Sequence, residues 1–124
     1  MKVKQICKYC GQPTSEVELK PGDIIKCHDG SGMNEALHRV TFLGNDKGFK
    51  PLRILKIVGD MAAVVPLHWD DTDVRFREKW DKENPAYLGY QWIWGEKNPG
   101  KYTYECLSKE GFWIDLRVSS PELL

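Results

Sequence analysis

The sequence has no net charge and no long apolar run. Lysine and arginine together number 18, as do aspartate and glutamate, so no overall field draws the protein to nucleic acid or to a membrane. Its longest apolar stretch, MAAVVPL at 61–67, is too short to span a bilayer, and the opening MKVKQICKYC lacks the apolar core of a signal peptide. We therefore expect a cytoplasmic protein with no membrane partner, in which any basic patch is local.

The sequence also lacks the motifs of common enzyme classes. It contains no nucleophile elbow and no HExxH motif, and Asp70, Asp71 and Asp73 are better explained as residues at a helix start than as a catalytic pair. The glycine-rich segment HDGSG at 28–32 matches no complete nucleotide-binding fingerprint. A chain of 124 residues is enough for one domain with its own core. These features favour a small binding domain over an enzyme.

Cysteine is scarce, with four residues, but two of them form the most specific motif in the chain. Cys7 and Cys10 stand in CKYCG, and a reducing cytosol favours metal binding over a structural disulfide. The Gly-Gln-Pro that follows favours a turn, whereas a redox CxxC usually opens a helix. Such a turn directs both sulfurs towards one point and supplies half of a tetrahedral zinc site. The motif therefore predicts a structural zinc in an N-terminal zinc-knuckle-like segment.

The other half of the zinc site must come from residues further along the chain. Sixteen residues separate Cys10 from Cys27, a spacing common between pairs of zinc ligands. If the segments around Cys27 and His38 are paired strands, side-chain alternation brings both side chains to the same face. Cys106 and His28 are the alternatives for the fourth position, and unligated thiols are the competing interpretation. The expected ligands are Cys7, Cys10, Cys27 and His38.

Short alternating segments separated by turns predict a mainly β fold. The run at 61–67 is typical of a strand buried on both faces that ends at Pro66. One helix is expected, because aspartates cluster at its start and Asn84-Pro85 follows it. We expect a single domain, either a small β-barrel or a curled antiparallel sheet, with one packed helix. Its parts are the CxxC knuckle and first strands (1–28), the central strands (38–69), the helix (71–84), a C-terminal β-meander (87–118) and a tail (119–124).

Two interpretations compete for the aromatic residues of the meander: a core between sheet and helix, or an exposed platform on which bases stack. Trp113 and Arg117 alternate with the inward-facing residues of the last strand, so both are expected to meet solvent or a partner. On the helix, Arg75 and Lys79 flank the apolar stripe and are candidate nucleic-acid contacts, with an ordinary solvated face as the alternative. The predicted binding residues are Trp113, Arg117, Arg75 and Lys79.

Residues 22–68 resemble a known family. They contain GDIIKC, then Arg39 at the opening of a predicted strand, then AAVVPLH, and this order is similar to that of the MazF and PemK endoribonuclease toxins, which are small β-barrels. In that family an Arg-Pro and a threonine after Pro-Ile line the RNA-cleaving groove, whereas here Val40 follows the arginine and His68 replaces the threonine. The resemblance implies a barrel in which Arg39 stabilises a phosphate and His68 moves a proton.

Taken together, the sequence favours binding without catalysis. A small neutral domain with a structural zinc and no evident catalytic set suits a module that grips a nucleic acid or a protein, and the residues do not decide between these partners. An accessory or inhibitory protein of a phage or other mobile element fits that size and class. Endoribonuclease activity through Arg39 and His68 is the alternative.

Overall fold

The protein has a mixed α/β fold. A computed structural model describes residues 2–6, 13–83, 90–91, 96–97 and 103–124, with side-chain surroundings for 17–83 and 103–124. None of the helices in these ranges is long and apolar enough to cross a membrane. The helices are α1 (Glu35–Thr41), a 3₁₀ helix (Leu67–Asp71), α2 (Val74–Glu83) and α3 (Tyr104–Glu110). The strands are β1 (Lys2–Ile6), β2 (Pro13–Glu18), β3 (Ile24–Cys27), β4 (Phe42–Gly44), β5 (Gly48–Phe49), β6 (Leu52–Val58), β7 (Met61–Pro66), β8 (Tyr90–Gln91), β9 (Glu96–Lys97), β10 (Phe112–Asp115) and β11 (Pro121–Leu123).

Five strands form one antiparallel sheet in the order β10-β7-β6-β3-β11. β6 and β7 make a hairpin in which Val58 lies opposite Met61. The two-residue turn between them favours a positive φ, and Gly59 supplies it with a φ of 61°. The sheet is open, because its outer strands β10 and β11 pair with β7 and β3 and not with each other. The expected antiparallel pairing is confirmed. Of the two predicted forms the small β-barrel is wrong, and the mainly β fold with one helix is corrected to a mixed α/β fold, because α1 and α3 are present besides α2.

The three α-helices bury apolar side chains in a core that they share with the sheet. Leu37 of α1, Trp80 of α2 and Leu107 of α3 belong to one apolar cluster with Val64 of β7 and Phe112 of β10. Burial of side chains of this size stabilises the folded state by about 1.5–3 kcal/mol each. Among the aromatic residues predicted for the meander, Tyr104 and Phe112 lie in this core. Ring contacts join Trp69 to Tyr104, Trp80 and Phe112.

The predicted strand at 38–43 is wrong for most of its length. Residues Glu35–Thr41 form α1, and the chain becomes extended only from Phe42. Asn34 caps the helix, since its side-chain oxygen accepts a hydrogen bond from the N–H of Leu37 at 2.9 Å. The alternation in HRVTFL was misleading because the preceding residues MNEAL supply a cap and good helix formers. His38 and Arg39 therefore lie on a helix.

The predicted meander at 87–118 is also wrong in its middle, where the segment YTYECL (102–107) is predicted to be a strand. Tyr104–Glu110 forms α3, which begins where the side chain of Thr103 accepts a hydrogen bond from the N–H of Cys106 at 3.2 Å. Lys109 and Glu105 form an ion pair one turn apart at 3.0 Å. The aromatic alternation in YTYECL gives way to a helical period, in which Tyr104 and Leu107 are buried together.

The expected helix at 71–84 is confirmed in α2, with a separate 3₁₀ turn before it. Asp73 accepts a hydrogen bond from the N–H of Phe76 at 2.9 Å, as expected for an acidic residue at a helix start.

The expectation of a tail at 119–124 is wrong, because Pro121 lies opposite Cys27 and the N–H of Leu124 donates to the carbonyl of Ile24 at 2.9 Å. The chain therefore ends in an edge strand of the sheet.

A candidate anion-binding groove

A groove of about 370 Å³ lies between α1, the 3₁₀ helix and α2. It brings together side chains from four separate segments of the chain. Ala36 and Val40 of α1 supply an apolar part of its wall. Its polar and aromatic lining residues are Arg39, Lys50, His68, Phe76, Trp80 and Glu83.

The hairpin register brings Lys50 and His68 to this groove. Leu52 lies opposite Pro66 where β6 begins and β7 ends, so the residues just outside the hairpin are also neighbours. The N–H of Leu67 donates to the carbonyl of Pro51 at 3.0 Å. The N–H of Lys50 donates to the carbonyl of Thr41 at 2.8 Å, which joins this end of the hairpin to the end of α1.

The α2 wall of the groove is one helical stripe. Phe76, Trp80 and Glu83 follow one another at intervals of four and three residues, so they share a face of the helix. Trp80 is 5% exposed and belongs to the core, whereas Phe76 is 37% exposed. The groove thus has a buried aromatic residue in its lining and an exposed aromatic ring beside it.

The electrostatics of the groove favour an anion. Partial burial lowers the pKa of His68, and the nearby charge of Lys50 lowers it further, so the imidazole is neutral at pH 7. Arg39 pairs with Glu35 at 2.6 Å, but both side chains are largely exposed, and an exposed pair of this kind contributes about 0–1 kcal/mol. In the described part of the chain, Lys50 forms no ion pair. Two cations and a neutral imidazole therefore face the groove together with Glu83.

The predicted nucleic-acid contacts Arg75 and Lys79 lie on the exposed flank of α2, outside the groove lining. Arg75 lies 3.5 Å from a carboxylate oxygen of Asp73, and Lys79 lies 3.9 Å from one of Glu83. Both pairs are largely exposed and are therefore weak. A role for Arg75 and Lys79 in binding stays a prediction.

The expected exposure of Trp113 is wrong, since Trp113 is 8% exposed. Trp113 of β10 and Lys56 of β6 both lie opposite Ala63 of β7, which runs between them. The Lys56 ammonium lies 5.2 Å from the centroid of the Trp113 ring. Side-chain alternation directs it to the face of β10 opposite the core residue Phe112. Trp113 therefore does not share a surface with the residues of α2.

Arg117 is exposed, as expected, but it is already paired. Its guanidinium donates to both carboxylate oxygens of Asp115, at 3.0 and 2.7 Å, and lies 3.7 Å from Asp60. The hydrogen bond to Asp115 raises the pKa of Arg117, and the same bond lowers the pKa of Asp115. A ligand at this position would have to compete with a bidentate pair, so Arg117 is a weaker candidate for binding than Arg39 or Lys50.

The predicted zinc ligands are only partly described. Cys7 and Cys10 lie outside the described residues. Cys27 is fully buried in β3, and desolvation raises its pKa to about 12. The nearby hydroxyl of Ser119 lowers this pKa slightly. Within the described residues that hydroxyl has no hydrogen bond of standard geometry. Without a metal the Cys27 thiol is therefore protonated, and a zinc ion bound there would have to displace this proton.

The predicted fourth ligand, His38, lies in an aromatic cluster. Its ring stacks on Phe42 with centroids 4.8 Å apart, and it meets the edge of Phe49 at 5.2 Å. The expectation that it shares a strand face with Cys27 is wrong, because it lies on α1. No three metal-ligating side chains come together within residues 17–83 and 103–124. The zinc site, which requires Cys7 and Cys10, stays a prediction.

The two alternative ligands also have other partners. The ring of His28 lies 3.2 Å from a carboxylate oxygen of Glu122. The thiol of Cys106 donates to Glu110 at 3.4 Å, and burial, together with this acceptor and its charge, raises the pKa of Cys106. The first contact joins the end of β3 to β11, and the second lies within α3.

Sequence reasoning paired Arg39 with His68, and the structure brings both into one groove. It missed Lys50 and Glu83. The two-residue turn at Gly59 alone would not have placed Lys50, because the register of the hairpin shifts between Ile54 and Lys56. Glu83 could have been found from the helical stripe that contains Phe76.

No protein-family model matches the chain, and comparisons with curated proteins and with solved structures find no match. The resemblance of residues 22–68 to the MazF and PemK toxins is thus supported by no independent comparison. What the protein does must be argued from the groove itself.

Proposed function

We propose that the protein is a binding module that takes single-stranded nucleic acid into this groove. The observation that carries the proposal is the convergence of Arg39, Lys50 and His68 beside the exposed ring of Phe76. Cationic side chains next to an aromatic platform are the usual means of binding single strands. We therefore propose a nucleic acid, and not a protein, as the partner.

The phosphate contacts fall to Arg39 and Lys50. Arg39 offers a guanidinium that holds a phosphate through two hydrogen bonds, and Lys50 offers a point charge. The exposed pair of Arg39 with Glu35 costs little to exchange for a phosphate, because solvent already screens it. A backbone phosphate bound at this position would fix the orientation of the strand without reading its sequence.

The size and lining of the groove favour an unpaired strand. A volume of about 370 Å³ lies near the lower end of ligand pockets, so it suits a single nucleotide unit. Only an unpaired base is free to stack on Phe76, since bases in a duplex already stack on one another. We therefore assign one base to the Phe76 ring and the two phosphates that flank it to Arg39 and Lys50.

We retain zinc as a proposal for the N-terminal segment. β1 lies against β11, and β11 is the direct neighbour of Cys27 in the sheet. Cys7 and Cys10, which follow β1, would supply two ligands. Cys27 could be a third only if its thiol lost its proton and the apolar side chains around it moved apart. The zinc would clamp the first hairpin to the sheet and would take no part in binding.

The test of binding is fluorescence anisotropy of a labelled single-stranded oligonucleotide at several salt concentrations. Two phosphate contacts predict that the logarithm of the association constant falls with a slope of about −1.4 on the logarithm of salt. Lys50→Gln removes one contact and should reduce that slope to about −0.7. The control Lys109→Gln removes an exposed charge on α3, outside the groove, and should leave the slope unchanged.

Two results would contradict the proposal. One is the absence of affinity for any single strand. The other is an affinity that Lys50→Gln and Lys109→Gln change equally, because binding would then depend on net charge and not on the groove. A protein partner recovered in a pull-down that survives nuclease treatment would favour the other class of partner.

A second candidate function is RNA cleavage in the same groove, the activity that the family resemblance implies. The observation that favours it is the lowered pKa of His68, which keeps the imidazole free to accept a proton. The 2′-hydroxyl would give its proton to His68 while its oxygen bonds to phosphorus. The bond from phosphorus to the 5′-oxygen would break, and that oxygen would take a proton from water.

Arg39 would stabilise the charge that develops on the phosphate during this reaction. RNA but not DNA should be cut, because DNA lacks the attacking hydroxyl. His68→Ala should abolish cutting while the protein remains folded and still binds RNA. If the purified protein leaves RNA intact, cleavage is refuted and binding alone remains.

A further inference from the structure

Glu83 does not fit a groove that only binds phosphate. It is the single acidic side chain among the described residues that line the groove, and a carboxylate repels a phosphate. A ligand that satisfies the whole groove must therefore combine an anionic group with hydrogen-bond donors that face Glu83.

We propose that the groove selects guanine and that Glu83 is the residue that determines this specificity. The inference rests on the proposed function and deepens it. A carboxylate is an acceptor with two oxygens. Guanine presents two adjacent donors on its Watson–Crick edge, the N1–H and the N2 amino group, whereas each other base presents one. Guanine alone satisfies both oxygens of one carboxylate.

The position of Glu83 on α2 suits this role. It follows Trp80 on the stripe that also contains Phe76, and a helical side chain covers the turn on the N-terminal side of its own Cα. The carboxylate therefore extends towards the Trp80 turn, on the helical stripe that also brings Phe76 into the groove lining. A base stacked on Phe76 presents its edge, and not its face, to Glu83.

The existing partner of Glu83 does not block this contact. Lys79 lies 3.9 Å from the carboxylate, and both side chains are more than half exposed. A pair that is this long and this exposed is weak. Two hydrogen bonds from guanine to a charged acceptor, formed in a partly enclosed groove, are the stronger alternative.

The test compares hexauridylate with three variants in which one central uridine is replaced. A guanosine should tighten binding about tenfold, the scale of one bidentate base contact. An inosine, which lacks the N2 amino group, should give an intermediate gain, and an adenosine should give none. Glu83→Gln should remove the guanosine gain, because an amide offers a single acceptor oxygen.

Glu78→Gln is the matched control. Glu78 is exposed on the same helix and does not line the groove, so this variant loses the same charge and should keep the guanosine gain. Thermal melting of both variants checks that they fold.

The possible results separate this inference from the proposed function. Equal affinity for the guanosine and uridine strands overturns guanine selection and leaves single-strand binding in place. A guanosine gain that survives in Glu83→Gln overturns the role of Glu83. Absence of binding to all four strands refutes the proposed function, and the guanine inference with it.

Discussion

Lys50 and His68 line the same groove because both lie at the open end of the β6–β7 hairpin, one just before β6 and the other just after β7. Partial burial lowers the pKa of His68, and the charge of Lys50 lowers it further. The pairing of Leu52 with Pro66 fixes this relationship. The register at this end of the hairpin thus places a cation near a histidine whose pKa burial already lowers.

The first prediction concerns the titration of His68. We expect its pKa, followed by NMR, to lie below about 6.5, the value of an unperturbed histidine. Lys50→Gln should raise the pKa but leave it below that value, because burial is the larger cause of the shift. A pKa that does not move in Lys50→Gln would contradict the arrangement of the groove.

The same shift has a consequence for stability. Because the folded pKa of His68 is lowered, the unfolded state binds the extra proton more readily, and stability is lost as pH falls below about 6.5 towards the folded pKa. His68→Gln should remove this part of the pH dependence. Chemical denaturation at pH 7.5 and pH 5.5 measures it, and an unchanged difference between the two pH values would count against the lowered pKa.

The second prediction concerns the final strand. Removal of residues 121–124 deletes β11, which covers Cys27 on one side in the sheet. We expect the truncated protein to melt at a lower temperature and its Cys27 thiol to react faster with a thiol reagent, since burial now holds the thiol protonated at a pKa of about 12. A Cys106→Ser background removes the other described thiol from the assay. Unchanged melting and reactivity would show that the strand is dispensable.

The third prediction concerns Gly32, which packs against β10. Its carbonyl accepts a hydrogen bond from the N–H of Asp115 at 3.1 Å, and an added Cβ would lie 2.6 Å from the carbonyl oxygen of Asp115. Gly32→Ala should therefore force the backbone apart and lower the free energy of unfolding by about 1–3 kcal/mol. Ser31→Ala, at the exposed neighbouring position, should cost much less. Equal effects in urea denaturation would contradict this close packing.

The fourth prediction concerns zinc. Native mass spectrometry should find one zinc ion, and a chelator should remove it and lower the melting temperature. Cys7→Ser should lose the metal, and Cys106→Ser should keep it. Cys27→Ser decides whether the buried thiol is a ligand. A metal-free protein that melts identically with and without chelator would refute the zinc proposal.

Local patterns predicted β6, β7 and α2 well. The turn at Gly59 and the apolar run of β7 needed no knowledge of the rest of the chain, because burial on both faces leaves a continuous apolar sequence. The start of α2 was visible in Asp73, whose side chain caps the helix.

The elements that were mispredicted are short ones whose type depends on their ends. α1 and α3 have seven residues each, so a few alternating residues can imitate a strand within them. Asn34 and Thr103 decide the outcome by capping each helix. Tertiary contact also determines the conformation of β11, because its three residues form a strand only by pairing with β3.

The candidate site was predictable only in part. The family resemblance named Arg39 and His68, but it implied a strand for the arginine where the structure has a helix. Their meeting depends on α1 packing beside the open end of the β6–β7 hairpin, a long-range arrangement that periodicity does not encode. Trp113 shows the opposite case, because alternation placed it on the correct face but could not show that this face is covered.

The most direct test of the account is NMR mapping of the surface that single-stranded RNA contacts. When a guanosine-containing oligonucleotide is added to the full chain, we expect the resonances of Arg39, Lys50, His68 and Phe76 to shift, and those of Trp113 and Arg117 to stay in place. Shifts confined to Trp113 and Arg117, or no shifts at all, would contradict the assignment of this groove.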